Sequence, residues 1–386
     1  MAGTALRSTG EMMHQGSSSL AAEALIVGGG PAGAALAILL TQRGRTIEII
    51  EKTSASHDKV CGEFLSSEAM AYLANLGVDL DALGAVPIHG VRLAVRKHVV
   101  ACELPFPAMS LTRRKLDEAL LSLAVKIGAT VLRGHRVESL LAVESGWVAR
   151  LSDGETRQAR SAFLATGKHD LTGHQRPGGK QNNLVAFMMY FELVTAQRRA
   201  LDGWVELIVF PGGYAGLQIM EDGTANLCLL VTRETLRACR NDWTTLLERM
   251  RDSSDHFGQR LDGALALLTK PLALSSIPYG LLPRHSESGL WRLGDQAVVT
   301  PSFSGDGMSI ALHTAHVAAD LYLGGGTSAM FAERIHREIR RPVILASMLS
   351  RLVIAAPGMA DIACRWPSLL RHIADHTRVP SSALLT

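Results

Sequence analysis

The sequence is poor in the residues that would build a disulfide frame, a metal site or a base-stacking surface. Its five cysteines, Cys61, Cys102, Cys228, Cys239 and Cys364, are odd in number, scattered and never in a C-x-x-C pair. That excludes a disulfide scaffold and a thiolate zinc site, and it suits the reduced thiols of a cytoplasmic protein. The histidines show no H-E-x-x-H or comparable spacing, so no metal site is expected. Aromatics make up only 5% of the chain, and the net charge of +3 comes from interspersed acids and bases. Nucleic acid is therefore not an expected partner. No uninterrupted apolar run reaches ~18 residues, so no transmembrane helix is expected. The nearest approach, the stretch beginning at Pro342, is interrupted by Arg351 and Pro357. Residues 1–22 lack the apolar core of a signal peptide and read as a disordered leader.

Apolar residues make up 47% of the 386 positions, enough for a sizeable core in two domains or one large one. From Ala24 the order is strand, glycine turn, helix, strand: "ALIV", then "PAGAALAILLTQRG", then "TIEIIEK". Proline opens the helix, Gly44 closes it, and a right-handed crossover makes the strands parallel. Helices are expected over Ser66 to Gly77 and Arg113 to Gly128, and strands dominate from Thr130 to Thr166. From about Asp170, four strand-like runs separated by turns ("LVAFMMYFELV", "GWVELIVF", "YAGLQIM", "TANLCLLV") imply an antiparallel sheet. The helix "TLLERMRDSSDHF" follows, and after "WRLGDQAVVT" the remainder reads as helices.

Gly28, Gly30 and Gly33 fit G-x-G-x-x-G, with Pro31 and Ala32 opening the helix. The first glycine permits the turn, the second lets backbone approach a pyrophosphate, and the third lets the helix pack on the sheet. The helix N-terminus then faces the anion with free N–H groups. Glu51, at the end of the second strand and beside Lys52, can accept from both hydroxyls of a ribose and should repel a 2′-phosphate. A second stretch, "WRLGDQAVVTPSFSGDGMSIALHTAHVAAD", begins at Trp291, far along the chain. NAD needs no second contact at that remove. FAD is longer, and Asp295 could bind its ribityl hydroxyls. Gly305 and Gly307 open a helix whose first N–H groups, on Gly307 and Met308, could face the flavin pyrimidine edge.

With these residues in view, the chain resembles the FAD-dependent monooxygenases of the para-hydroxybenzoate hydroxylase fold and their relatives, the geranylgeranyl reductases and flavin-dependent halogenases. The likeness runs from about Ala24 to Leu323. It rests on the glycine turn and on Gly294–Asp295 with Pro301 and Gly307. It implies that Arg113, in "SLTRRKLDEALL", contacts FAD, and that Gly167 meets the pyrophosphate beside Thr166. "KVCGEFLSSEA" resembles the loop that passes over the flavin in the reductase branch, which places Cys61 and Gly62 beside the cofactor. Cys61 is taken as a small residue in a tight loop rather than a thiol that tunes flavin. Glu63 is taken as a solvated loop carboxylate rather than an acid or base, so no catalytic residue is named.

The fold expected is α/β with an α+β second layer. A Rossmann-like FAD-binding domain with a parallel sheet (23–175 and 276–330) is joined to an antiparallel-sheet substrate domain (176–275, with 85–108 contributing) and to C-terminal helices (331–386). The resemblance implies first a monooxygenase acting on an aromatic or polyketide-like lipophilic molecule through a flavin 4a-hydroperoxide. The alternative is a reductase of carbon–carbon double bonds; a halogenase and a non-catalytic flavoprotein rank below both. Thr166-Gly167 stands where hydroxylases carry an Asp-Gly linked to NADPH, which leaves NAD(P)H open as electron donor. "RIHREIRRPVILASMLSRLV" reads as a docking helix with a solvated basic face in preference to a peripheral membrane contact.

Overall fold

The computed structural model of the protein describes residues 22–284, 289–359 and 367–384. All of the expected leader except Ala22 lies outside them, as does Cys364; Ala22 begins the first strand rather than ending the leader. Along the chain run β1 (Ala22–Val27), α1 (Pro31–Thr41), β2 (Ile47–Glu51), β3 (Phe64–Leu65), α2 (Ser67–Leu76), β4 (Val86–Val95), β5 (His98–Ser110) and α3 (Arg113–Lys126). Next come β6 (Thr130–Arg133), β7 (Val137–Val143), β8 (Gly146–Leu151), β9 (Thr156–Leu164), β10 (Leu184–Glu192), α4 (Thr195–Leu201), β11 (Trp204–Phe210), β12 (Gly213–Ile219) and β13 (Ala225–Thr232). The last third holds α5 (Arg233–Ala238), α6 (Trp243–Ser253), α7 (Asp255–Arg260), β14 (Leu265–Ala266), β15 (Leu272–Ser275), β16 (Leu290–Arg292), α8 (Gly307–Leu323), α9 (Ser328–Ala355) and α10 (Pro367–His376).

Two sheets divide the work. The first has seven strands in the order β6-β2-β1-β9-β8-β7, with β16 also on β9. Its β1, β2, β6, β9 and β16 are mutually parallel, and β7 and β8 are an antiparallel hairpin appended at β9. The apolar runs "ALIV" and "IEII" are buried on both faces, as parallel strands require. One face is covered by α1 packed between α3 and α8, and their small and branched residues (Ala34, Leu36, Ile38, Leu120, Leu312, Ala315) form the largest core cluster.

The second sheet has nine strands in the order β14-β10-β13-β12-β11-β4-β5-β3, with β15 also on β10. The four antiparallel runs expected after Asp170 are its centre, and residues 85–108 contribute through β4 and β5. Among the described residues of this sheet only β4 and β11 pair in parallel. Along β10, Val185, Phe187, Met189 and Phe191 pack under α6 and α7, while Leu184, Ala186, Met188 and Tyr190 face the other way, toward Val60, Tyr214 and Val353. The single helix expected at "TLLERMRDSSDHF" is broken at Ser254, which caps α7 with its hydroxyl on Phe257 N. Helix α9 runs unbroken for 28 residues through Pro342.

Candidate active site

The glycine turn is built as its spacing demands. Gly28 takes φ 108°, and a side chain there would strike the Ala165 carbonyl. Gly33 lets α1 settle against Gly28 and Ala165. Pro31 opens α1, Ala32 is buried behind it, and Gly30 caps the helix with no side-chain acceptor. The first turn therefore keeps free N–H groups for an anion. A Cβ at Gly30 would meet only an Arg113 guanidinium nitrogen, at 3.7 Å, so the space before the helix is open on its other sides.

Glu51 lies behind this turn. Its Oε2 accepts from Gly29 N at 2.8 Å, and its Oε1 accepts from Thr53 N at 3.1 Å and Thr53 Oγ1 at 2.8 Å. Burial pushes its pKa upward, but these bonds outweigh it and hold the carboxylate below its usual range. Three of its roughly four acceptor positions are thus taken, leaving about one for a ribose hydroxyl where two were expected. Lys52 beside it is exposed.

Arg113 opens α3 and is fixed in a fork on Asp117, Nε to Oδ1 at 2.9 Å and an Nη to Oδ2 at 3.0 Å. Lys59 adds a third bond to Asp117, at 2.7 Å. Burial alone would lower the arginine's pKa, but Asp117 and Cys61 more than reverse that. The guanidinium thus stays charged between the glycine turn and the Cys61 loop.

A second run of chain closes the other side. Gly294 approaches the Ala32 side chain on α1, and Arg176 donates to the carbonyls of Asp295 at 2.9 Å and Lys168 at 2.7 Å. Gln296 donates to the Gly167 carbonyl at 2.8 Å, so the Thr166–His169 turn and the Asp295 turn form one unit. Gly305 ends a short 3-10 turn begun after Pro301, in the left-handed conformation, with Phe64 below it. It does not open the helix as expected: α8 begins at Gly307, with Asp306 in the cap position. The Met308 side chain is buried in the core, which leaves its backbone N–H as its contribution to the site. Asp306 Oδ2 accepts from Val379 N at 2.9 Å, and its buried Oδ1 has no partner. Burial, helped by Glu68, pushes this carboxyl up to about 7. A Cβ at Gly62, Gly167 or Gly307 would meet nothing within 4 Å. These open positions and the free helix starts of α1 and α8 fit a long, anionic dinucleotide such as FAD.

The sequence expectation for Glu63 is corrected. It is not solvated but 0% exposed, at φ 57° in the loop between Cys61 and β3. Its carboxyl accepts from Tyr190 Oη at 2.8 and 2.9 Å, from Asn226 Nδ2 at 2.6 Å and from Arg113 N at 2.7 Å. Burial dominates, and the pKa is pushed up to about 7. The donors come from a polar row that the sequence reading missed. Gln218, Asn226 and Tyr190 are successive cross-strand partners on β12, β13 and β10. Gln218 holds the Gly62 carbonyl at 2.8 Å, and Asn226 also holds the Cys61 carbonyl at 3.1 Å. The signal was a hydrogen-bonding residue (Tyr190, Gln218, Asn226) set inside each of three largely apolar runs. Cys61 is half-buried, with Glu63 N donating to its Sγ at 3.3 Å. Cys228 is on the same side of the sheet, and burial pushes its thiol up to about 12. Among the described residues no cluster of His, Cys, Asp and Glu could hold a metal ion.

Residues 21–167 match the family model described as an FAD binding domain. A menaquinone reductase of Mycolicibacterium smegmatis is 27% identical over 329 residues, covering 80% of this chain and 78% of its own. Among solved structures, the flavin-dependent brominase Bmp2 superposes with a TM-score of 0.75 at 16% identity, covering 92% of both chains. The halogenase PltM, solved with phloroglucinol and FAD, gives 0.69 at 16% identity, over 86% of this chain and 76% of its own. At such identities the two structures support the fold alone.

Proposed function

The chain is an FAD-dependent oxidoreductase built on the FAD binding domain at residues 21–167, and we propose that it reduces a carbon–carbon double bond in a lipophilic, prenyl-bearing substrate. The observation that carries this reading is Glu63, a fully buried carboxyl poised to hold a proton near neutral pH. When bound and reduced, FAD supplies a hydride. Saturating an alkene also takes a proton on the other carbon, and an apolar site gives no water to deliver it. Glu63 holds that proton at Oε1 or Oε2, and Tyr190 Oη, bonded to both oxygens, can relay it. Asn226 and Gln218 fix the loop that carries it. Met188, Leu230 and Tyr214, on the same face of the sheet, supply an apolar wall that excludes water.

The long alignment with a menaquinone reductase supports a lipid of the polyprenyl-quinone class as substrate. The binding roles of Gly28, Gly30, Gly33, Glu51, Arg113, Gly167, Asp295 and Gly307 toward FAD belong to the same proposal. So does NAD(P)H as electron donor. The second reading, hydroxylation of an aromatic ring, is favoured by the same apolar wall, since an oxygen-transferring flavin needs a dry pocket.

The test is anaerobic. Photoreduced enzyme is mixed with a short-chain prenylated naphthoquinone and the flavin spectrum is followed. Reoxidation without oxygen, with a product that has gained two hydrogens on the prenyl chain, is expected. No anaerobic reoxidation, with a product that gains an oxygen atom once air is admitted, would replace the reductase by the hydroxylase.

A further inference from the structure

The outer face of α9 changes character along its length. Arg337, Arg340 and Arg341 are exposed, and one turn on, Ile344, Met348 and Leu352 are exposed at four-residue spacing, 40%, 58% and 44% accessible. Met359, beyond the helix end, is also exposed, at 49%. Glu338 is the one carboxylate between residues 337 and 359, and it is turned away onto His313 and Arg334. Among the described residues none of Arg337, Arg340, Arg341 and Arg351 is ion-paired. Beside the end of α9 opens a cleft of about 650 Å³ lined by Lys180, Arg233 and Arg351 with Gln181, Ile354 and Ala355, and by no carboxylate. On its inner side the same helix end packs Val353 and Ile354 into the cluster that contains Tyr190 and Tyr214.

We propose that this end of α9 docks on an anionic lipid bilayer: Ile344, Met348 and Leu352 enter the acyl boundary, and the arginines and the Lys180–Arg233–Arg351 cleft take headgroup phosphates. An apolar stripe flanked by unpaired cations matches a charged membrane surface in both of its chemistries. A protein partner would need carboxylates to meet the same cations, and a second copy would bring its own arginines against them. No helix among the described residues is long and apolar enough to cross a membrane, so the contact is a surface one. Docking there sets the cleft, and the buried face behind it, against the lipid phase. The inference stands on this surface and not on which reaction the enzyme performs.

Vesicle co-sedimentation of the full FAD-loaded chain tests it. Vesicles of phosphatidylcholine with one third phosphatidylglycerol should bind the protein, pure phosphatidylcholine should bind far less, and added salt should release it. Each of Arg337→Gln, Arg340→Gln and Arg341→Gln should weaken binding about fivefold, the equivalent of ~1 kcal/mol per basic residue at an anionic surface. The triple variant Ile344→Ser/Met348→Ser/Leu352→Ser should abolish it while keeping flavin content and turnover of a water-soluble acceptor. Absence of binding to the anionic vesicles overturns the proposal. So does binding indifferent to the triple variant, or a dimer in sedimentation velocity that the triple variant dissociates. Failure of the double-bond chemistry leaves all of these readouts intact.

Discussion

Keeping a carboxyl with no exposed surface in a left-handed backbone position costs stability, and proteins retain such groups where function depends on them. Glu63 is in that position, and its protonation has two consequences. If the neutral acid gives the proton, the rate falls as pH rises through about 7. Glu63→Gln should remove that limb and slow single-turnover oxidation of reduced enzyme by an alkene about 100-fold or more at neutral pH, with flavin content unchanged; an unaltered pH profile would exclude the role. The stability effect has a definite sign. The folded pKa lies above the usual 4.5, so the native state binds this proton more tightly than the unfolded chain. The contribution is full below about 4.5 and is lost as pH rises to about 7, an amount on the order of 3 kcal/mol. Urea titrations across that window should show wild type losing this increment relative to Glu63→Gln. Arg113 makes a different prediction. Its fork on Asp117 brings one charged nitrogen to the open side of Gly30, so Arg113→Met should raise the FAD dissociation constant roughly 10- to 100-fold, the worth of a charge-assisted bond, read by equilibrium dialysis. The contacts of the glycines, Glu51 and Arg113 with FAD belong to the proposal; what was legible in the sequence was the glycine turn and Glu51, from local chain geometry, and Arg113, from resemblance. Glu63 was not, since its burial depends on Tyr190, Asn226 and Gln218, more than 120 residues away.

At the scale of elements, legibility follows the range of the interactions that make each one. Strand β1, the glycine turn, α1 and β2 form from neighbours in sequence, and their order was plain. Helix α9 was read only as a docking helix over residues 334–353, and its full 28-residue run was not legible: Pro342 removes the bond its own N–H would have made in the helix. Packing overrides that loss: Ile335, Ile339, Val343, Ala346 and Val353 keep one face buried on both sides of the proline. The parallel pairing of β4 with β11 was likewise invisible, since it joins strands more than 100 residues apart. That pairing depends on a void at Gly90, where any side chain would overlap the Trp204 ring. Trp204 is itself held under the Arg92 guanidinium, 4.1 Å from its centroid, and against His89. Gly90→Ala therefore forces the indole off its stack and spreads the strands. A loss of about 1–3 kcal/mol is expected from such overpacking, seen as a lower urea midpoint. Gly90→Ala combined with Trp204→Leu should recover part of it, and a single variant as stable as wild type would show that the junction has slack.

Across the whole molecule, the last described segment folds back on α2, β5 and the start of α8. Arg378, after α10, bonds Glu68 and Ser67 at the start of α2 and lies over the Phe106 ring of β5. The next residue, Val379, donates its N–H to Asp306, directly before the opening of α8. Glu68 and Asp306 are both buried, 8% and 1% exposed, and Arg378 is the cation that faces them. The clasp thus fixes α2, β5 and α8 around the place where Gly307 presents its N–H. Its logic is that of a buried ion pair, in which removing one partner costs more than removing both. Arg378→Met strands Glu68 without its cation and should cost about 3–5 kcal/mol. Glu68→Gln alone leaves the guanidinium with Ser67 and the Phe106 ring and should cost less. The double variant Arg378→Met/Glu68→Gln should be more stable than Arg378→Met alone, and that coupling is the discriminating quantity. Additive losses would mean that Arg378 holds the chain end by packing on Phe106 and not by charge. Flavin retention adds a readout that stability alone does not move: if the clasp fixes the start of α8, Arg378→Met should release FAD faster under conditions where the fold is still intact, and the double variant should not.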